Sequence, residues 1–160
     1  RLLTVAEALQ TFPRARFNFD IKERRAARPT RRLIDDFGAG DRVLLASWYS
    51  WQRGPALSGY PGPRSITMDQ ALPFILLHWT RLDRLWPQRL DALQVPETHW
   101  GLRVVTPRLV ERAHRLGMRV HVWTVDREAD MDRLLAWGVD GIITKKPDVA
   151  IGVRARHVGR

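Results

Sequence analysis

The alternation of apolar and polar positions is clearest between Gly117 and Pro147. Val120 to Val125 is a short apolar run, β-branched and aromatic, with the make-up of a buried strand. Arg127 to Trp137 follows, highly charged, with Met131, Leu134, Leu135 and Trp137 forming the apolar stripe of a helix. Gly138 stands where a helix C-cap belongs, and a second apolar run, Gly141 to Thr144, ends just before Pro147. Strand, helix and strand within about thirty residues make a βαβ unit, and its two strands must be parallel. Both are apolar on both faces, as a parallel sheet covered by helices requires.

The rest of the chain reads as more of the same unit. Thr4 with Glu7 three residues later is a capping box, and the segment to Thr11 reads as the end of a helix stopped by Pro13. Phe17 to Lys22 alternates as a strand, with Phe17, Phe19 and Ile21 on one face and Asn18, Asp20 and Lys22 on the other. Pro29 is expected to open a helix that runs to about Phe37, capped by Gly38 or Gly40. Val43 to Ser47 is the next buried strand. Trp48 to Pro63, rich in Gly, Pro, Ser and aromatic residues, reads as one long loop of the kind that carries function in compact domains. Arg64 to Thr67 is a candidate short strand, and Met68 to Leu85 a helix that Pro73 either starts or bends. Ala92 to Val95 is a strand closed by Pro96. Val104 to Leu116 is a helix with Pro107 in its first turn, and Gly117 ends it. A last helix starts at Pro147, and residues 153–160 are expected to fray.

The six candidate strands lie near residues 17–22, 43–47, 64–67, 92–95, 119–125 and 140–144, with helices between most of them. This is a (β/α) repeat. Six units are too few to close an eight-stranded barrel, and the chain opens on a helix with no strand before it. A truncated barrel accounts for both facts. An open doubly wound sheet is the alternative, but no G-x-G-x-x-G follows a strand, so a dinucleotide site lacks support.

Composition narrows the picture. The 160 residues suit one domain, 1–160, with a real core. There is no cysteine, which removes disulfides and thiol chemistry. No apolar run approaches the roughly 18–20 residues of a membrane span; the longest, Ala71 to Trp79, is broken by Pro73 and His78. The sequence starts at Arg1, without Met and inside a helix-like pattern, so the expectation is a chain processed or cut from a longer protein, which could have lost a targeting segment. The cytoplasm is the expected compartment. The net charge of +10 invites a nucleic-acid reading, yet only three of the basic residues are lysine (Lys22, Lys145 and Lys146). The arginines are dispersed, and the densest group, Arg24, Arg25, Arg28, Arg31 and Arg32, reads as a solvated face. No recognition helix, RNP-like motif or zinc spacing accompanies them, so no nucleic-acid partner is expected. His114 reads as a structural residue at a helix end and His121 as a core residue of a strand; His78, His99 and His157 show no metal spacing.

Several of these segments together resemble one family. Ala113, His114 and Gly117 match an Ala-His-x-x-Gly turn; Trp123, Thr124 and Val125 match a strand end; Gly138 to Thr144 with Pro147 match a Gly-Val-Asp-Gly-Ile-Ile-Thr segment. Upstream, Phe17 to Lys22 is similar to an acidic-x-Lys strand and Val43 to Ser47 to the strand after it. In this order they resemble the C-terminal part of the glycerophosphodiester phosphodiesterases. The resemblance implies an incomplete TIM (β/α)8 barrel of the PLC-like phosphodiesterase type, lacking about the first two β/α units. It implies metal-dependent hydrolysis of glycerophosphodiesters to an alcohol and sn-glycerol 3-phosphate, in lipid metabolism, with a small-molecule substrate. The family's His-Arg-Gly, Glu-Asn-Thr, Glu-x-Asp and His-Asp segments do not occur in the sequence, so no catalytic residue is assigned and the chain alone is expected to be inactive. By the same resemblance Asp20 would be a ligand of a divalent cation, Mg²⁺ or Ca²⁺, where the family more often has Glu. Lys22 would sit near the phosphate, and Trp123 would wall the glycerol pocket. Thr144 is a weaker candidate, followed by Lys145 where the family has Asp, and Trp48 and Trp51 either line a substrate mouth or pack the loop. For Asp20 and Lys22 the competing reading is a buried structural ion pair, and for the whole chain a non-catalytic module binding an anionic ligand or partner.

Overall fold

The computed structural model describes residues 2–80 and 90–157. The last stretch of the expected 68–85 helix, beyond Thr80, and residues 158–160 of the expected tail lie outside the described residues. The chain divides into two compact units, Arg1–Leu90 and Asp91–Arg160.

In the first unit, helix α1 (Val5–Thr11) opens on the capping box read from the sequence. The Thr4 amide donates to Glu7 Oε2 at 2.8 Å and the Glu7 amide to Thr4 Oγ1 at 3.2 Å. Strand β1 (Phe17–Asp20), helix α2 (Arg24–Asp36) and strand β2 (Val43–Ala46) form a β-α-β crossover. The strands run parallel, with Phe17 opposite Val43 and Asp20 opposite Ala46. Helix α2 starts at Arg24, five residues before the expected Pro29. Its buried Ala27 and Ile34 stand seven apart on one stripe, and it is this packing that extends the helix through Pro29. Proline in the second turn forfeits one backbone bond there.

Helix α3 (Ser50–Leu57) occupies the first half of what reads as a loop. Side chains satisfy its first amides: Tyr49 N–H donates to Gln52 Oε1 at 2.7 Å, and Ser50 N–H to Asp69 Oδ1 at 3.0 Å. The expected 64–67 strand is reduced to a parallel bridge between Leu45 and Arg64, with the Leu45 amide on the Pro63 carbonyl and the Ser65 amide on the Leu45 carbonyl. Helix α4 (Met68–Trp79) follows, with Pro73 inside it. The core gathers Leu9, Ile21, Ile34, Val43, Leu45 and Tyr60. Arg53 is also fully buried; its Nη1 donates to the Leu45 carbonyl at 2.8 Å, and its Nε has no partner.

The second unit starts with strand β3 (Ala92–Pro96), then a hairpin of β4 (Thr98–His99) and β5 (Leu102–Arg103) that the sequence did not announce. It turns through Trp100 (φ 49°) and Gly101 (φ 75°). Helix α5 (Pro107–Arg115) begins three residues after the expected Val104, because Pro107 holds Thr106 before it in an extended conformation, while the amides of Val104 and Val105 donate to the Glu97 carbonyl. Thr106 caps it by accepting from the Leu109 amide. Strand β6 (Arg119–Trp123), helix α6 (Glu128–Ala136), strand β7 (Gly141–Ile143) and helix α7 (Pro147–His157) complete the unit. The sheet is parallel in the order β3-β6-β7.

The expected βαβ unit is therefore present, with strands one or two residues shorter than read. Leu93, Val95, Val120 and Val122 are buried, while Gln94, His121 and Trp123, on the alternate face, are half-buried. Helix α7 continues past residue 153, where fraying was expected. Val153 is fully buried, Arg156 reaches Glu128 at 2.9 Å, and His157 meets Asp132 at 3.0 Å.

Candidate active site

Asp20 is the last residue of β1, and Lys22 stands two residues on, just past the strand rather than within it. Ile21 between them is buried and its amide still donates to the Ala46 carbonyl, so Asp20 and Lys22 project to the same, opposite side. The Lys22 ammonium lies 2.5 Å from Asp20 Oδ2. The side chains are 69% and 42% exposed respectively, so the pair is not a buried structural one. An ion pair this open adds little to stability. Its position at the carboxyl end of a parallel strand is where α/β folds place ligand chemistry.

The turn after β2 is fastened to this pair. Gln52 Nε2 donates to the Lys22 carbonyl at 2.7 Å while its Oε1 accepts from the Tyr49 amide. Ser47 Oγ donates to the Tyr49 carbonyl at 2.8 Å, and the Met68 amide to the Trp48 carbonyl at 2.8 Å. Asp69 accepts from both the amide and the hydroxyl of Ser50. Burial works against the ionised form of Asp69, but the bonds from Ser50 and Thr67 outweigh it and hold the carboxyl below its usual range. The rings of Trp48, Tyr49 and Trp51 project from this turn into solvent. The sequence flagged the two tryptophans but not Gln52, whose role depends on a carbonyl thirty positions away.

In the second unit, Trp123 ends β6, opposite Pro96 on β3 and Ile143 on β7. It shares a sheet face with His121, which is half-buried and hydrogen-bonded within the sheet, in keeping with a strand residue that packs rather than ligates. His121 lies in register between Gln94 and Gly141, and Gln94 Nε2 is 3.1 Å from His121 Nδ1. With the amide donating, the ring proton is on Nε2. Burial pushes the imidazole below its ordinary pKa, so it is neutral at pH 7.

The loop after β7 is locked. Thr144 Oγ1 donates to Asp126 Oδ1 at 2.9 Å and accepts from the Lys146 amide, and the Lys145 amide also donates to Asp126. The bonds from the Lys145 amide and the Thr144 hydroxyl hold Asp126 below the usual carboxylate range. Thr144 thus spends its hydroxyl on the loop. His114 is structural, as read: its Nε2 meets Asp140 Oδ2 at 2.7 Å, and that oxygen also accepts from the Val120 amide. His157 is tied to Asp132, and His99 stacks on Trp100. The side chain of His78 lies outside the described residues.

Among the described residues no three His, Cys, Asp or Glu side chains are grouped to hold a metal. Mg²⁺ and Ca²⁺ take six or more oxygens. Asp20 offers one carboxylate, with Oδ2 already engaged by Lys22. The described residues fit one corner of such a site and not a whole one.

Known proteins resemble the chain in both sequence and fold. Residues 63–149 match the model of the glycerophosphoryl diester phosphodiesterase family. A probable glycerophosphodiester phosphodiesterase 2 of Mycobacterium tuberculosis is 34% identical over 157 residues, covering 91% of this chain and 57% of that protein. A glycerophosphodiester phosphodiesterase of Caldanaerobacter subterraneus is 45% identical over 124 residues, covering 76% and 46%. The chain thus spans about half the length of the curated relatives it matches. Among solved structures, an Oleispira antarctica phosphodiesterase in complex with the product sn-glycerol-3-phosphate superposes with a TM-score of 0.70 at 15% identity, covering 95% of this chain and 61% of that one. A glycerophosphodiester phosphodiesterase from Parabacteroides distasonis gives 0.66 at 19% identity, covering 95% and 63%. These structures establish the fold as α/β with alternating helices and strands and unclosed sheets, part of a TIM-barrel-like architecture of the phosphodiesterase type.

Proposed function

The chain belongs to the glycerophosphoryl diester phosphodiesterase family, and from that premise we propose that the protein of which it forms part hydrolyses glycerophosphodiesters to an alcohol and sn-glycerol 3-phosphate. The observation that carries the reading is the open Asp20–Lys22 pair at the carboxyl end of β1. A phosphodiester is anionic and repels nucleophiles, so charge on its phosphoryl oxygens must be taken up before attack. Lys22 supplies a mobile ammonium for one such oxygen, and Asp20 keeps it aimed. Asp20 would also give one oxygen to a divalent cation, which would supply Lewis acidity when bound. By the family resemblance alone, Trp123 at the end of β6 would wall the glycerol pocket. None of the chain's own histidines is assigned to proton transfer; residues outside this sequence would perform it, and the chain by itself would not turn over.

The assay is release of sn-glycerol 3-phosphate, from this chain and from the full product of its reading frame, with and without a chelator. Lys22→Met in the active protein should lower kcat/KM by about 10²–10³, the range for removing one preorganised charge-stabilising donor. Turnover by this chain alone, or an unaffected Lys22→Met enzyme, would refute the assignment.

A further inference from the structure

We infer that the first unit carries a membrane-facing patch, in which the rings of Trp48, Tyr49 and Trp51, flanked by Arg24, Arg25 and Arg28, fit the headgroup layer of an anionic lipid bilayer. The three rings fall within four consecutive positions and are 41%, 42% and 55% exposed. They are not on a slack loop that could fold them inward. Ser47, Gln52, Asp69 and the Met68 amide fix the backbone that bears them. Apolar surface held rigidly in water at a cost marks a place where something docks.

The charge beside the rings says what docks there. Arg24 Nη1 lies 3.4 Å from the Trp51 carbonyl, which sets the first turn of α2 alongside the aromatic turn. Arg25 and, one turn on from Arg24, Arg28 are exposed, and neither meets a carboxylate among the described residues. That first turn contains no acidic side chain. With Glu23 at the N-cap against Arg24, Arg25 and Arg28, this end of α2 keeps a surplus of positive charge that an anionic surface would relieve. A soluble anion would account for the arginines and leave the rings unexplained. An apolar partner would account for the rings and leave the arginines unexplained. Amphipathic rings beside arginine are the pairing found at the headgroup level of bilayers with an anionic surface. The inference stands whether or not the protein hydrolyses phosphodiesters, because binding requires no turnover.

The test is co-sedimentation of the whole chain with vesicles of phosphatidylcholine containing phosphatidylglycerol, against phosphatidylcholine alone, with tryptophan emission recorded alongside. Binding should be confined to the anionic vesicles and shift the emission to the blue. It should vanish at about 1 M salt, where the Debye length is about 3 Å. Arg25→Ala with Arg28→Ala should weaken it about twenty- to thirtyfold. Trp51→Ala should weaken it and reduce the emission shift, with far-UV circular dichroism unchanged in both variants. No binding to anionic vesicles at low salt would overturn the inference. So would binding that both variants leave intact, or binding that inorganic phosphate abolishes at constant ionic strength, since the arginines would then be serving a soluble anion.

Discussion

Gly141→Ala tests the geometry of the half-buried face of the second unit. The φ of Gly141 is ordinary, so alanine meets no backbone strain there. The difficulty is space. A methyl at residue 141 would lie 2.7 Å from His121 Cδ2 and 3.2 Å from Cγ. Reaching ordinary contact at 3.4 Å requires the ring to retreat by about 0.7 Å. It has nowhere to go sideways, because Gln94 stands on its other side at 3.1 Å. The imidazole must rotate and surrender that hydrogen bond. Overpacking costs about 1–3 kcal/mol and the bond about 1 kcal/mol. Removing glycine's freedom in the unfolded chain returns about 0.4–1 kcal/mol. The net loss is about 2 kcal/mol, or about 4–8 °C in Tm for a chain of this size. Thermal unfolding by circular dichroism measures it. Combining Gly141→Ala with His121→Ala should recover most of the loss that Gly141→Ala causes alone, because the double variant has no ring to displace. A Gly141→Ala protein as stable as the parent, or strictly additive effects in the double variant, would refute the ring's placement over Gly141.

Two further outcomes follow from titratable groups that burial shifts. Burial, then the nearby Arg64 charge, lower Arg53 from its ordinary value to about 10. At about 1.36 kcal/mol per unit, its charge costs on the order of 3 kcal/mol. Arg53→Met keeps the volume and drops the charge, and Leu45 retains the Ser65 amide as a donor, so urea unfolding should show a gain of about 1–3 kcal/mol. A loss instead would mean that the guanidinium bonds outweigh its desolvation. His121 has a folded pKa below its ordinary 6.5, so the unfolded chain binds a proton there that the folded chain refuses. Its contribution to stability is full above pH 6.5 and declines as pH falls below it. Urea midpoints measured across pH 5–8 should show this decline and lose part of it in His121→Gln; an unchanged profile in the variant would exclude His121 as its source.

What the sequence reveals depends on the range of the interactions that fix each element. The β6-α6-β7 unit is legible because Val120 and Val122 recur at strand spacing and Gly117 and Gly138 mark helix ends locally, although the other face of β6 carries Arg119 and His121 and is not the apolar face expected. The pairing of Asp20 and Lys22 is legible because two residues along an extended chain restore the same side. Helix α3 is not: Gly54 and Pro55 read as breakers, and what secures its start is Asp69 on another helix. The early start of α2 is hidden for a related reason, since Ala27 and Ile34 find their packing only in three dimensions. The β4–β5 hairpin has strands of two residues, too short for any periodicity. Gln94, His121 and Gly141 become a set only through strand register, which no single strand encodes.

The turn that follows β2 keeps its shape through groups that are not aromatic: the Ser47 hydroxyl, the Gln52 amide and the Asp69 carboxylate. None of the three rings supplies any of these bonds. Exchanging Trp51 would leave the Ser47, Gln52 and Asp69 bonds with their donors and acceptors. A lineage could thus retune what its rim meets while leaving the neighbouring acid–amine pair undisturbed, so divergence at 48, 49 and 51 would record changing surroundings rather than a changing reaction.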